Sequence, residues 1–153
     1  MKNYILSFSF PLFIVACNNK ADQPVAESDT GLIETNFAWR ADLNDSSGRL
    51  EMKKTDPSGP DSLSSSAVID FLNKTYPNVQ LKFLKSSHDT VFVAIPEATY
   101  LTQQMGSTGP TMYFATAVYN LTDIPGVRFV DFSFEEGDHA APSTLNRESF
   151  KDE

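Results

Sequence analysis

Apolar and polar residues alternate with a period of two over residues 37–43 and again over residues 49–53. This period places Phe37, Trp39, Ala41 and Leu43 on one face of a β-strand. The run between the two segments, residues 44–48, consists of residues that favour turns. The pattern therefore predicts a β-hairpin with one buried face.

Two later segments have apolar residues at the spacing of an α-helix. The first follows Pro60 in the loop 55–66, can be capped by Asp61 or by a serine after it, and ends at Tyr76 before Pro77. The second covers residues 111–122. The apolar residues that define them are Leu63, Ala67, Val68, Phe71 and Leu72 in the first helix, and Tyr113, Phe114, Ala117, Val118 and Leu121 in the second.

Three further strands are predicted at residues 81–85, 90–95 and 127–135, where β-branched and aromatic residues are concentrated. Residues 97–108 fit either a short helix or a loop, and from Asp138 onward only scattered apolar residues remain. Strands interspersed with two helices predict an α+β fold. We expect a two-layer sandwich, in which two main helices cover one face of a mainly antiparallel sheet.

The predicted strands leave a second sheet face whose apolar residues the core does not explain. Alternation within residues 90–95 and 127–135 places most of the valine and isoleucine side chains on one face. The other face receives Phe92, Ala94, Val127 and Phe129. Such an apolar patch is covered either by a loop or tail of the same chain or by a binding partner, and both explanations remain open.

An apolar run of 13 residues precedes Cys17 and ends at Ala16. Because a membrane-spanning helix needs about 20 apolar residues, this run is typical of a signal-peptide core. The sequence Ile14-Val15-Ala16-Cys17 resembles a bacterial lipobox, in which the cysteine is acylated and becomes the new N-terminus. The alternative is a buried apolar segment with an incidental cysteine.

The lipobox divides the chain into a signal peptide at residues 1–16, a polar tether at residues 17–34 and a folded domain at residues 35–150. Two or three acyl chains on Cys17 anchor a protein stably to a membrane. We therefore expect a lipoprotein of the bacterial cell envelope, held on the extracytoplasmic side. Asn18 stands where an aspartate is associated with inner-membrane retention, which favours the outer membrane.

The chain of 153 residues has 12 Lys and Arg against 20 Asp and Glu, a net charge of −8. The length fits one domain, and the negative charge argues against nucleic-acid binding. A single cysteine excludes an intramolecular disulfide and any multi-cysteine metal site. His88 beside Asp89 and His139 beside Asp138 lack the motifs of a nucleophile or of a zinc site. We therefore expect no catalytic residues, no metal site and no cofactor.

A loop with two glycines precedes the second predicted helix; it consists of Gly106, Ser107, Thr108 and Gly109. Backbone N–H groups at the start of a helix bind anions in some proteins. Because the loop lacks the lysine of a P-loop, a helix-capping role is the other explanation.

Three segments together indicate a family. They are residues 91–95, the loop 106–109, and residues 117–127, in which a helix end leads through Pro125 and Gly126 into a strand. This order resembles the GerMN domain, a module of bacterial envelope lipoproteins. The resemblance implies a lipid-anchored extracytoplasmic domain that binds a ligand or a protein partner. The family has no established catalytic residues, so the resemblance implies none here.

The leading functional hypothesis is a non-enzymatic binding or assembly module that Cys17 anchors to the membrane. Its partner surface would be the second sheet face, with Phe92 and Phe129, or the loop 103–110. The alternative is a receptor for a small ligand or wall fragment, which binds beside the loop 106–109. A hydrolase that uses His88 or His139 is a third possibility, and no motif supports it.

Overall fold

The computed structural model describes Asn36 and residues 38–152 of the chain. The predicted signal peptide, Cys17 and the tether lie outside the described residues, as does Phe37. The described residues form an antiparallel hairpin, a mixed sheet and two main helices. This is the α+β architecture that the sequence predicts.

Strands β1 (Ala38–Leu43) and β2 (Leu50–Asp56) form the predicted hairpin. Gly48 has a φ of +68°, and its N–H donates to the Asn44 carbonyl oxygen at 2.7 Å, which closes the turn. The hairpin is a separate two-stranded sheet.

The buried face of β1 differs from the predicted one. Ala38, expected on the polar face, is fully buried, whereas Leu43, expected in the core, is 42% exposed. A β-bulge between Ala38 and Trp39 shifts the register at the start of the strand, so the simple period of two does not hold at Ala38. Leu43 is the last residue of β1, beside the exposed turn of the hairpin.

The second sheet has the strand order β3-β4-β5-β6, with β3 at Lys82–Ser87, β4 at Thr90–Ala94, β5 at Phe129–Ser133 and β6 at Ser143–Leu145. β3 and β4 form an antiparallel hairpin, and β5 and β6 are also antiparallel. β4 and β5 are parallel, because the chain crosses between them through a helix. The sequence does not predict β6, a strand of only three residues with a single apolar side chain.

The first helix, α1 (Ser65–Thr75), begins at one of the predicted serines. The Oγ of Ser64 accepts a hydrogen bond from the N–H of Ala67 at 3.3 Å, which caps the helix after Leu63. At the other end, the N–H of Tyr76 donates to the Leu72 carbonyl oxygen, and the following proline cannot continue the helix.

The second helix, α2 (Gly109–Leu121), has Pro110 in its first turn. Residues of the first turn donate no hydrogen bond within the helix, so the missing N–H of a proline costs nothing there. The segment before it, which the sequence left ambiguous, contains a π-helical turn at Tyr100–Gln104. After β6 the chain forms a 3₁₀ turn at Arg147–Phe150.

Helix α2 is buried around most of its circumference, since nine of its 13 residues are buried. It contacts β1 of the hairpin as well as β5 of the second sheet, so it has no wide solvent face. The core of the described residues joins α1, α2 and one face of the second sheet. Its largest fully buried side chains are Val68, Leu72, Val79, Val91, Val93, Ile95, Leu101, Tyr113, Val118, Leu121, Val130 and Phe132.

Two buried polar side chains of α2 bind the backbone of β1. Asn120 accepts a hydrogen bond from the N–H of Trp39 at 3.0 Å and donates to the Trp39 carbonyl oxygen at 2.8 Å. Thr116 Oγ1 accepts from the N–H of Ala41 at 3.1 Å. Side chains of α2 thus form hydrogen bonds with the backbone N–H and C=O groups on the edge of β1 that faces the helix. This explains why polar residues occupy buried positions of α2.

Tyr113 in α2 is 1% exposed, and its hydroxyl has no hydrogen-bond partner among the described residues. Burial raises its pKa, with a smaller contribution from Tyr76. An unpaired buried hydroxyl costs about 1–3 kcal/mol of desolvation. We therefore expect Tyr113→Phe to leave the free energy of unfolding unchanged or to raise it by about 1 kcal/mol. Urea denaturation measures this; a loss of more than about 1 kcal/mol would show that the hydroxyl is hydrogen-bonded.

Candidate functional site

The two phenylalanines singled out in the sequence lie on the sheet face opposite the core. We define this open sheet face by Thr90, Phe92 and Ala94 of β4 and Phe129, Asp131 and Ser133 of β5. The parallel register pairs Thr90 with Phe129 and Phe92 with Asp131. The alternating residues of the same strands, Val91, Val93, Val130 and Phe132, are buried.

Neither phenylalanine ring belongs to the hydrophobic core of the described residues, and both are half-buried. The Lys85 Nζ lies 4.6 Å from the centroid of the Phe92 ring, and the Arg128 guanidinium lies 5.6 Å from that of Phe129. Cations at these distances are attracted to the ring faces. Lys85 and Arg128 thus lie against the rings of the two phenylalanines on the open sheet face.

The remaining sequence-based expectations about this face have mixed outcomes. The C-terminal tail reaches the edge of this face, because its 3₁₀ turn lines a cleft together with Phe129 and its β6 extends the sheet beside β5. Val127, expected on this face, instead packs against the core. A role of Phe92 and Phe129 in binding stays a prediction.

The surroundings of the open sheet face are rich in basic side chains, although the chain has a net charge of −8. Lys82 and Lys85 lie opposite Ala94 and Phe92 in the β3–β4 register. Arg128 lies 3.8 Å from the Asp89 carboxylate, and because both side chains are exposed this pair is weak. Asp131, the one acidic residue of the face, accepts a hydrogen bond from Thr144 Oγ1 at 2.6 Å.

A cleft of about 270 Å³ lies beside Phe129, between the end of α2 and the C-terminal turn. It combines an aromatic ring with two guanidinium groups and one carboxylate. The lining residues are Thr122, Val127, Arg128, Phe129, Asn146, Arg147 and Glu148.

Next to this cleft, Asp123 joins segments that are distant in sequence. Its Oδ2 accepts a hydrogen bond from Trp39 Nε1 at 3.0 Å and lies 2.6 Å from Lys54 Nζ. Its Oδ1 lies 2.5 Å from the Arg147 Nη2. With Tyr119 these residues form what we name the Asp123 clasp: Trp39, Lys54, Tyr119, Asp123 and Arg147.

Aromatic stacking completes the Asp123 clasp. The rings of Trp39 and Tyr119 meet edge to face at 5.2 Å. The Arg147 guanidinium lies 5.2 Å from the first ring and 4.9 Å from the second. Arg147 also donates to the Tyr119 carbonyl oxygen at 2.9 Å and to Thr122 Oγ1 at 2.8 Å. Arg147 is thus fixed by its protein partners, which makes it a structural side chain of the cleft.

The pKa of Asp123 lies below its ordinary value. Burial acts to raise this pKa, but hydrogen bonds from Lys54, Arg147 and Trp39 lower it by more. The carboxylate is therefore ionised in the folded domain at neutral pH.

The loop of Gly106, Ser107, Thr108 and Gly109 has the backbone of a tight turn before α2. Gly106 has a φ of +71°, a conformation that L-residues rarely adopt. Thr108 precedes the helix without a side-chain capping bond. A cleft of about 330 Å³ separates the loop from the hairpin and has no charged side chain in its lining, which is Leu43, Gly48, Leu50, Ser107, Thr108 and Thr111.

The two histidines lie in exposed turns. His88 has a φ of +54° between β3 and β4, and its Nδ1 lies 3.2 Å from Ser87 Oγ. His139 is exposed, and its backbone N–H donates to the Thr102 carbonyl oxygen at 3.0 Å. Within residues 38–152, no group of three or more histidine, cysteine or acidic side chains is arranged to hold a metal ion.

The sequence does not predict the Asp123 clasp. Its members come from a hairpin, a helix end and a tail without a regular pattern, so no spacing connects them. The available signal is local: Asn120 and Asp123 are polar residues at and just after the end of a mostly apolar helix.

In the part of the chain that the structure describes, no helix has the length and apolar character needed to cross a membrane. Comparisons of the chain with protein-family models, with curated proteins and with solved structures find no match.

Proposed function

We propose that this protein is a lipid-anchored extracytoplasmic module of the bacterial cell envelope, which binds or assembles with another envelope protein and has no enzymatic activity. One observation carries the proposal: Phe92 and Phe129 lie outside the core, on the open sheet face, with Lys85 and Arg128 against their rings. Aromatic and arginine side chains contribute strongly to protein interfaces. The resemblance to the GerMN domain supports an envelope role.

Acylated Cys17 is the proposed membrane anchor. We expect Cys17→Ala to abolish incorporation of labelled palmitate and to leave the product uncleaved or displaced from its membrane, because no other cysteine can be acylated. Fractionation with palmitate labelling measures both effects, and Asn19→Ala is the control that should retain them. An acylated Cys17→Ala product in the membrane fraction would refute the anchor.

The alternative function is that of a receptor for a small ligand or wall fragment. The uncharged cleft beside the loop 106–109 favours it, since its volume of about 330 Å³ is in the range of small-molecule sites. A thermal-shift screen against envelope metabolites and wall fragments, run beside in-cell crosslinking, separates the two functions. A discrete crosslinked protein without a saturable shift supports the assembly role. A saturable shift that Ser107→Tyr removes supports the receptor instead.

A further inference from the structure

Strand β3 has a free edge among the described residues, because it pairs with β4 alone. Alternate residues of such a strand direct their N–H and C=O groups away from the sheet. Lys82 to Ser86 are all exposed, including two adjacent large apolar side chains, Phe83 at 44% and Leu84 at 49%. An edge strand with an apolar pair is a surface onto which a further strand can be added.

The same strand has features that disfavour pairing with a second copy of this chain. A β-bulge lies between Phe83 and Lys85, and lysines flank the apolar pair on both sides. If two β3 strands met edge to edge, lysines of one copy would lie near lysines of the other. Like charges opposite each other destabilise a strand pair. A free edge protected in this way still accepts a strand of opposite charge.

Charge complementarity therefore identifies the occupant. Lys82 and Lys85 are the charged side chains of β3 on a chain whose net charge is −8, and Lys85 also contacts the Phe92 ring. An acidic side chain beside Lys85 would thus also approach the open sheet face. A strand that alternates apolar and acidic residues would cover Phe83 and Leu84 and neutralise the two lysines.

We propose that β3 binds an extended, acidic segment of a partner protein as an additional outer strand of the sheet. This inference rests on the proposed function, since it names the chemistry of the partner. Backbone hydrogen bonds to β3 hold the segment, and the lysines select its charge.

The probe is a blocked peptide that alternates valine with glutamate, added to the full chain reconstituted in phosphatidylcholine vesicles. Hydrogen exchange measured by mass spectrometry should slow by about tenfold at the β3 amides. A peptide that alternates valine with lysine should give no protection. No protection by the glutamate peptide, or equal protection by both, overturns the proposal. Protection by phosphatidylglycerol vesicles in the absence of peptide overturns it in favour of a lipid surface.

A variant with reversed charges in β3 is tested with the same two peptides, so a change in their relative binding does not arise from the β-propensity of the peptides. The double variant Lys82→Glu, Lys85→Glu should lose protection by the glutamate peptide and gain it from the lysine peptide. Lys74→Glu with Lys151→Glu, which are exposed in α1 and near the C-terminus, gives the same net charge and should behave as the unchanged protein. If the control variant changes its preference from the glutamate peptide to the lysine peptide to the same extent, a specific role of β3 is overturned. If the peptides fail while partner capture still depends on Phe92 and Phe129, this inference is wrong and the proposed function stands.

Discussion

Alanine substitution of Phe92 and Phe129 together is expected to abolish capture of the proposed envelope partner in cells while the domain remains folded. Both rings are half-buried and lie outside the core, so each substitution should cost no more than about 1 kcal/mol of unfolding free energy. An interface, in contrast, depends on a few aromatic anchors, and removing two of them eliminates most of its affinity. In-cell crosslinking measures capture, and urea denaturation measures stability.

Phe132→Ala is the matched control, because Phe132 lies on the same strand as Phe129 and points into the core. It is 1% exposed and packs against Phe114 at a ring distance of 4.9 Å. Its truncation should cost about 3–5 kcal/mol and destabilise the domain. If the double substitution of Phe92 and Phe129 causes a loss of that size, these side chains are core residues and the surface assignment fails.

Asp123→Ala is expected to lower the free energy of unfolding by about 2–3 kcal/mol. The Asp123 side chain is 15% exposed and binds Trp39, Lys54 and Arg147 at once, so its loss leaves three donors without their acceptor. The loss stays moderate because the Lys54 and Arg147 side chains are 43% and 34% exposed, so water can hydrogen-bond the donors that Asp123 no longer accepts from. Asp42→Ala is the control: this carboxylate pairs with Lys53 at 3.2 Å with both side chains 49% exposed, and we expect a loss below about 0.5 kcal/mol.

The contribution of the Asp123 clasp should also depend on pH, because the folded pKa of Asp123 lies below its unfolded value. The unfolded chain then binds more protons, so the ionised carboxylate stabilises the fold above the unfolded pKa of about 3.9. This contribution is lost as the pH falls through the lower, folded pKa. The difference in stability between the wild-type chain and Asp123→Ala should therefore shrink between pH 5 and strongly acidic solution. A difference that is constant over this range would show that the carboxylate does not act through its charge.

Asp56 forms a comparable but local arrangement. A hydrogen bond from the Ser58 hydroxyl, followed by one from Arg40, lowers its pKa to about 2. Because its partners lie in the same hairpin and Arg40 is 52% exposed, Asp56 fixes the end of β2 and does not connect distant elements.

Hydrophobic periodicity predicts most of the secondary structure, since each helix or strand must bury one face. The serine cap of α1, the hairpin turn at Gly48 and the alternation that isolates Phe92 and Phe129 all depend on residues close together in sequence. The set of residues on the second sheet face follows from the alternation alone, because a strand directs successive side chains to opposite sides.

Features that depend on long-range contacts are not predicted. The register shift beside Ala38, and the hydrogen bonds by which Asn120 and Thr116 of α2 bind the backbone of β1, join residues without a periodic relation. Strand β6 is defined by its antiparallel pairing with the edge of β5. Its own three residues are too few to show a hydrophobic period. The Asp123 clasp likewise brings together residues without a periodic relation.

Site-specific photocrosslinking from the open sheet face tests the central claim most directly. A photoreactive residue at the position of Ser133 lies on this face, and one at Asp70 lies on the exposed side of α1 and serves as the control. We predict that illumination in cells joins the first variant, but not the second, to one discrete envelope protein. Equal crosslinking from both positions, or crosslinking from Asp70 alone, would contradict a partner-binding role of the open sheet face.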